Sequence, residues 1–279
     1  MTMQISAFET NSAEIPLSDK DFAKFREFVY RAAGIHMPAT KKALVAGRLL
    51  KRLRHHQLTS YGEYFQLIMS GDERTELQTA LDLLTTNETY FFREPQHFDF
   101  LRTTILTANK PGDTFRVWSA ACSSGEEPYT LAMVLADVLG ARAWEILASD
   151  ISSRVLAKAQ MGQYNMERAE RISQAHLKAY CLRGIGSQHG TFLIDPALRR
   201  RIRFTSLNLN ESLPDIGLFD VIFLRNVMIY FSLETKQQVV SRLLTVLKPG
   251  GYFIISHSET LHGITDQLSM VRSSIYRKA

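Results

Sequence analysis

Apolar side chains recur three and four positions apart up to about residue 95, and shorter strand-like runs take over from residue 115. LSDKDFAKFREFVYRAAG places Phe22, Phe25, Phe28 and Val29 on one face, offers Ser18 as N-cap and stops at Gly34. MPATKKALVAGRLLKRLRHHQL, SYGEYFQLIMSG and ERTELQTALDLLTT predict three more helices, the first with Val45, Leu49 and Leu53 inward. No strand is expected before residue 115. Beyond it, FRVWSAA, WEILASD, FDVIFLRN and YFIISHSE read as strands. PYTLAMVLADVLG, SSRVLAKAQ and LETKQQVVSRLLTVL read as helices, the first opening on Pro128, and KPGG reads as a turn. Strands alternating with helices predict a parallel sheet covered on both faces. Residues 182–204, LRGIGSQHGTFLIDPALRRRIRF, break that rhythm with close glycines and then β-prone residues, which predicts a hairpin or small antiparallel insert.

Composition narrows the class without changing this picture. The 279 residues, 45% hydrophobic and 22% charged, suit one large soluble domain or two smaller ones. No apolar run is long enough to span a membrane, and the N-terminus lacks the apolar core of a secretory signal, so a cytoplasmic protein is expected. Two cysteines far apart, Cys122 and Cys181, and no CxxC argue against a zinc cluster. A formal charge of +5 suggests an acidic partner. Much of that charge sits in KKALVAGRLLKRLRHH, where Lys41, Arg48, Arg52 and His55 share a helix face. Such a stripe is a docking surface for an acidic protein or nucleic acid, or a solvated helix face.

Candidate chemistry begins at VWSAACSSGEEPYTLAM, residues 117–133. A strand ends, the chain turns at Gly125 and a helix starts, as in a nucleotide-binding loop at the carboxyl end of a parallel strand. Yet Glu126 and Glu127 occupy the place of a phosphate, no Lys or Arg in the loop offsets them, and neither GxxxxGK[ST] nor GxGxxG is present there. Two readings stand. The acids complement the helix dipole, or they serve a cationic ligand without phosphate, such as S-adenosylmethionine, whose sulfonium, ammonium and ribose hydroxyls all suit a carboxylate. Asp150, ending the next strand, is placed for ribose hydroxyls.

TNETYFFRE (86–94), the 117–133 stretch, ASDIS (148–152), LNLNE (207–211), FLRNVMIYF (223–231) and LKPGGYFIISHSE (247–259) follow in that order. Together they resemble the CheR-type chemotaxis receptor methyltransferases over nearly the whole chain. The resemblance implies a Rossmann-like methyltransferase fold, an all-helical N-terminal domain (1–95, with the basic helix near 41–56 facing the receptor) and a catalytic domain (96–279) with a small antiparallel β-subdomain near 182–204. It implies methyl transfer from S-adenosylmethionine to glutamate carboxylates on the cytoplasmic coiled coil of chemoreceptors, leaving S-adenosylhomocysteine. Carried over by position, Asn87, Thr89 and Arg93 line the cofactor site from the domain junction. Glu127 and Asp150 hold polar groups of the cofactor, Asn208 and Leu209 flank the adenine, and Asn226 and Val227 close the methionine side. Arg93 orients the acceptor carboxylate and Tyr230 stands near the methyl path. Arg183, Gly184, Gly186 and Gly190 resemble the members whose β-subdomain binds a receptor C-terminal pentapeptide. A monomer is expected. HSETLH (257–262) lacks HExxH spacing, so no metal is expected. Neither Pro-Pro nor Pro-Cys occurs, which disfavours nucleic-acid base methylation. The alternatives are a non-catalytic S-adenosylmethionine-binding signalling module and a methyltransferase for another acceptor.

Overall fold

The computed structural model describes residues 15–71, 74–109 and 112–279, the side chain of Arg74 apart. The chain forms two compact units, one of the described residues up to Phe28 with Pro38–Leu84, the other of Val29–Met37 with Thr85–Ala279.

Helix α1 (Asp19–Ala33), of which the residues up to Phe28 belong to the first unit, begins where Ser18 Oγ accepts the Asp21 N–H at 3.0 Å. A 3₁₀ turn (Ala39–Lys41) leads into α2 (Lys42–His55). Then come α3 (Tyr61–Met69) and α4 (Arg74–Leu84). Ser60 caps α3 through the Glu63 N–H at 3.2 Å while the Glu63 carboxylate takes the Thr59 N–H at 2.8 Å, a reciprocal cap. Val45, Leu49 and Leu53 are wholly buried, as their spacing predicts.

The basic stripe does not lie on one open face. Arg52 forks onto the buried Glu76 carboxylate, which also accepts the Tyr64 hydroxyl at 2.6 Å, and Arg48 donates to the Leu84 carbonyl at 3.1 Å. The exposed basic side chains here are Lys41, Lys51, Arg54 and His55. Burial raises the Glu76 carboxyl, but the bonds from Arg52 and Tyr64 outweigh it and leave the group below its ordinary range. Arg52→Ala is therefore expected to destabilise the protein by roughly 3–5 kcal/mol in urea denaturation, because it strands a buried charge.

The second unit holds a seven-stranded sheet. Its segments in chain order are α5 (Gln96–Phe100), a π-helical stretch (Leu101–Ile105), α6 (Leu106–Ala108), β1 (Phe115–Ala120), α7 (Glu126–Leu139), β2 (Trp144–Asp150) and α8 (Ser153–Met161). Next come β3 (Gln163–Asn165), α9 (Gln174–Tyr180), β4 (Cys181–Arg183), β5 (Thr191–Ile194) and α10 (Pro196–Arg199). The chain ends with β6 (Ile202–Ser206), β7 (Phe219–Leu224), α11 (Leu233–Thr245), β8 (Leu247–Ile254), β9 (Leu268–Arg272) and β10 (Ile275–Lys278). The sheet order is β6-β2-β1-β7-β8-β10-β9, parallel through β8, with β10 and β9 joining antiparallel. Alternation sends Val117 and Trp118 of β1 into two different buried clusters, so both faces of the sheet are covered. The strand order reverses between β1 and β7, the place where open α/β sheets hold ligands.

Four details differ from the sequence reading. The β-subdomain is a three-stranded sheet, β3-β5-β4, that starts at Gln163, and IRFTS leaves it to form the edge of the main sheet as β6. β8 runs straight through KPGG, with an irregularity opposite Phe219 and Val221 that absorbs the glycines. The β9–β10 hairpin was not expected. Helix α7 starts at Glu126, which makes Pro128 its third residue, a position where the missing N–H still costs nothing.

Candidate active site

After β1 the chain makes a tight turn in which Ala121, Ser123 and Gly125 take φ values of 64°, 51° and 96°. The turn is fastened on two sides. The Ser123 N–H donates to Asp150 Oδ2 at 2.8 Å, and the Ser123 hydroxyl donates to the Asn87 carbonyl at 3.0 Å. Gly125 has no room for a side chain: a Cβ would stand 2.8 Å from Ala159 Cβ, 2.9 Å from Tyr164 Oη and 3.1 Å from Ala159 Cα.

The two glutamates that follow have separate roles. Glu126 is buried, accepts the Ser124 hydroxyl at 2.7 Å and lies 3.2 Å from Arg168 Nη1; burial raises its carboxyl. Glu127 accepts the Ser119 hydroxyl on Oε1 at 2.7 Å and Arg225 Nη1 on Oε2 at 2.8 Å. The same Arg225 donates Nη2 to the Arg93 carbonyl and stands 3.4 Å from Glu94 Oε2. Glu94 also accepts the His257 N–H at 3.1 Å and Asn226 Nδ2 at 3.4 Å. Burial raises the Glu94 carboxyl, but the Arg225 charge and the His257 N–H prevail and hold it below the ordinary range. Glu259, pushed up by burial, accepts the N–H groups of Ser256, Asn226 and Ile229 at 3.0, 3.1 and 3.3 Å, which fixes the left-handed turn at Asn226.

These bonds gather most of the residues picked from the sequence, but not Val227 or the Tyr230 side chain. Asn87 and Arg93 are tied to the turn and to Arg225, Asn226 to Glu94 and Glu259, and Leu207 donates its N–H to the Asp150 carbonyl at 3.1 Å, which brings Asn208 and Leu209 to the end of β2. Asp150 is 6% exposed, and its Oδ1 takes the Ser152 N–H at 2.9 Å. Asn208 spends its amide on the Ala32 carbonyl and on Glu211, at 2.6 and 2.8 Å, so it shapes the turn that holds it. Leu209 is buried, and Val227 is half-buried against the same apolar cluster. Thr89 gives its carbonyl to Arg168 Nη1 at 2.7 Å. Arg93 is half-buried, donates Nη1 to the Glu88 carbonyl at 2.9 Å and lies over the Tyr90 ring. Tyr230 is half-buried, and its hydroxyl makes no hydrogen bond among the described residues.

Sequence reasoning missed Arg225, Glu94, Glu259 and His97. One signal was readable: Arg225 follows the apolar strand FDVIFL directly, and a cation at the end of a buried strand needs partners. His97 is wholly buried, with Nε2 at 2.7 Å from Ser274 Oγ, which also lies 3.1 Å from His257 Nδ1. Glu94, His97 and His257 bring ligand atoms within 4.8 Å of one another. The Arg225 guanidinium beside Glu94 already supplies the counter-charge there, so the cluster is a hydrogen-bonded network carrying its own cation. Burial, reinforced by Arg225, lowers His97 to about 3. The folded state thus refuses a proton that the unfolded chain takes near 6.5, and stability is lost as pH falls below that value. The stability advantage of wild type over His97→Gln is expected to shrink by about 2 kcal/mol between pH 8 and pH 5, read from urea denaturation at each pH.

Comparison with known proteins identifies the family of the chain. A family model described as "CheR methyltransferase, SAM binding domain" matches residues 87–277, and one described as "CheR methyltransferase, all-alpha domain" matches residues 20–85. A "Chemotaxis protein methyltransferase" of Escherichia coli K12 is 37% identical over 98% of this chain and 96% of its own length. "Chemotaxis protein methyltransferase 1" of Pseudomonas aeruginosa is 37% identical over 93% of this chain and 98% of its own, and the Borreliella burgdorferi protein 34% over 95% and 96%. Among solved structures, the glycopeptide N-methyltransferase MtfA complexed with sinefungin reaches a TM-score of 0.38 at 16% identity, over 68% of this chain and 59% of that one, too distant to bear on chemistry.

Proposed function

The chain belongs to the CheR methyltransferase family and binds S-adenosylmethionine, and on that premise we propose that it esterifies glutamate side chains on the cytoplasmic coiled coil of chemoreceptors. The observation that carries the reading is the braced Glu127 carboxylate, joined through Arg225 to the carbonyl of Arg93, the residue best suited to hold an acceptor carboxylate. The donor set fits the cofactor. The turn offers carboxylates and small residues without a lysine or arginine, which suits a ligand with cationic and hydroxyl groups and no phosphate.

S-adenosylmethionine supplies an activated methyl group when bound. Glu127 holds its polar groups, Asp150 those of the ribose; Asn87, Thr89 and Arg93 line one wall, Asn208 and Leu209 the adenine side, and Asn226 and Val227 the methionine side. The acceptor glutamate, with an ordinary pKa near 4.3, is already anionic at neutral pH and needs no general base. What remains for the protein is alignment and the exclusion of water. Arg93 can present two parallel N–H donors to the acceptor carboxylate, and the hydroxyl of Tyr230, unbonded among the described residues, is the second candidate on the methyl path.

Lys41, Lys51, Arg54 and His55 are the basic groups open to an acidic receptor helix, while Arg48 and Arg52 serve the fold. The β3-β5-β4 sheet, with exposed Leu182 and Ile185 by its β4 edge, is the place for a receptor C-terminal pentapeptide. None of the described helices is long and apolar enough to cross a membrane; we read the protein as a cytoplasmic monomer. The test is incubation with methyl-tritiated cofactor and receptor-bearing membranes, followed by alkali and counting of volatile methanol. Receptor-dependent, alkali-labile counts support the ester. Stable counts, or none with the cofactor bound, point to another acceptor or to a binding module.

A further inference from the structure

Arg225 directly follows β7, and only 2% of its side chain is exposed. A guanidinium is rarely placed so deep unless its neighbours need it. Its neighbours are three oxygens of the site: Glu127 Oε2 at 2.8 Å, the Arg93 carbonyl and Glu94 Oε2 at 3.4 Å. Its Cζ lies over the Phe98 ring, 5.5 Å from the centroid, and its Nε has no hydrogen-bond partner among the described residues.

Each contact has a separate consequence. Glu127 carries one donor on each oxygen, Ser119 on one and Arg225 on the other, so its carboxylate cannot swing. Arg93 lies between Phe92 and Glu94, both in the left-handed region at φ 54° and 57° without being glycine. Such a backbone persists only where its surroundings over-determine it, and the bond to the Arg93 carbonyl is one such restraint. The single positive charge of Arg225 also stands against the carboxylates of Glu94 and Glu127, in a site that must bind a sulfonium and release a neutral thioether.

We propose that Arg225 is a positioning residue for methyl transfer, which aims Glu127, holds the Arg93 loop and limits the site's preference for the cationic cofactor over the neutral product. The catalytic part rests on the function proposed above; the binding part does not.

Three full-length proteins test it: wild type, Arg225→Lys and Arg225→Gln. Calorimetry gives Kd for S-adenosylmethionine and S-adenosylhomocysteine, and the alkali-labile assay gives kcat at saturating cofactor. Arg225→Gln is expected to lower kcat about 10- to 30-fold and to move the ratio of the two Kd values at least about 3-fold toward the cationic ligand. Arg225→Lys keeps the charge but not the fork, so it is expected to lose kcat to a similar extent while its Kd ratio stays at the wild-type value. A purely structural residue would lower the melting temperature and leave the folded fraction with wild-type kcat and an unmoved ratio, and that result overturns the proposal. Should Arg225→Gln fail to fold, Ser119→Ala removes the other restraint on Glu127. It is then expected to weaken S-adenosylmethionine binding about 3-fold, and unchanged binding counts against the proposal. A wild type that binds both ligands but makes no alkali-labile product refutes the proposed function and leaves the Kd ratios to decide the role of Arg225 in binding.

Discussion

Gly125→Ala is expected to weaken S-adenosylmethionine binding by more than about 100-fold and to destabilise the protein by roughly 2–5 kcal/mol. Two independent costs add. A residue with a Cβ at φ 96° leaves the comfortable region of the backbone map, which costs about 1–2 kcal/mol. The new methyl would also meet Ala159 Cβ at 2.8 Å and Ala159 Cα at 3.1 Å, and a backbone atom cannot step aside as a flexible side chain can. Relief by tilting α7 would drag Glu127 away from Ser119 and Arg225, which is why a loss of binding is expected beside the loss of stability. Urea denaturation and calorimetry on the same variant separate the two. The double change Gly125→Ala with Ala159→Gly removes the Cβ–Cβ collision and keeps the φ cost, so it is expected to recover about 1 kcal/mol of stability and part of the affinity. No recovery would mean that the left-handed backbone and the remaining approaches of Tyr164 Oη and Ala159 Cα make the glycine necessary.

What could be read from the chain in advance depended on how local each cause is. Val45, Leu49 and Leu53 announce their burial because a helix face is written at spacings of four. The same periodicity misled for Arg48 and Arg52. It shows that they share a face but not that Glu76, 24 residues beyond Arg52, waits on that face inside the fold. IRFTS was absorbed into the insert because glycines and arginines precede it; only its pairing with β2, Ile202 opposite Ile146, makes it part of the main sheet. KPGG looks like a turn by composition, yet an irregular register lets β8 pass through it. The residues around Gly125 were legible as a site because turn, acids and helix start are contiguous. Arg225 was not, since its partners Glu127 and Arg93 lie 98 and 132 residues away in the chain.

That distance matters for the residue on which the proposed chemistry depends most. Arg93→Ala is expected to lower kcat by about 10²–10³ at saturating cofactor, the range seen when a preorganised donor is removed from a transition state. Its side chain now donates to the Glu88 carbonyl at 2.9 Å and lies 5.5 Å over Tyr90, contacts that use one of its five N–H groups and leave the fork able to meet a carboxylate. The backbone that carries it is fixed by Arg225, so the side chain can be removed without releasing the loop. The loss should therefore appear mainly in kcat, with a smaller change in Kd for the cofactor it also lines, and melting should stay close to wild type. Arg93→Lys is expected to recover little, because a point charge cannot reproduce a planar two-bond contact. Because the acceptor is already ionised, the wild-type rate is expected to be flat from about pH 6 to 9. A steep rise in that window would reveal a general base at work. A fully active Arg93→Ala would reduce the Glu88 and Tyr90 contacts to loop scaffolding and move the orienting role to the hydroxyl of Tyr230, where Tyr230→Phe becomes the deciding variant.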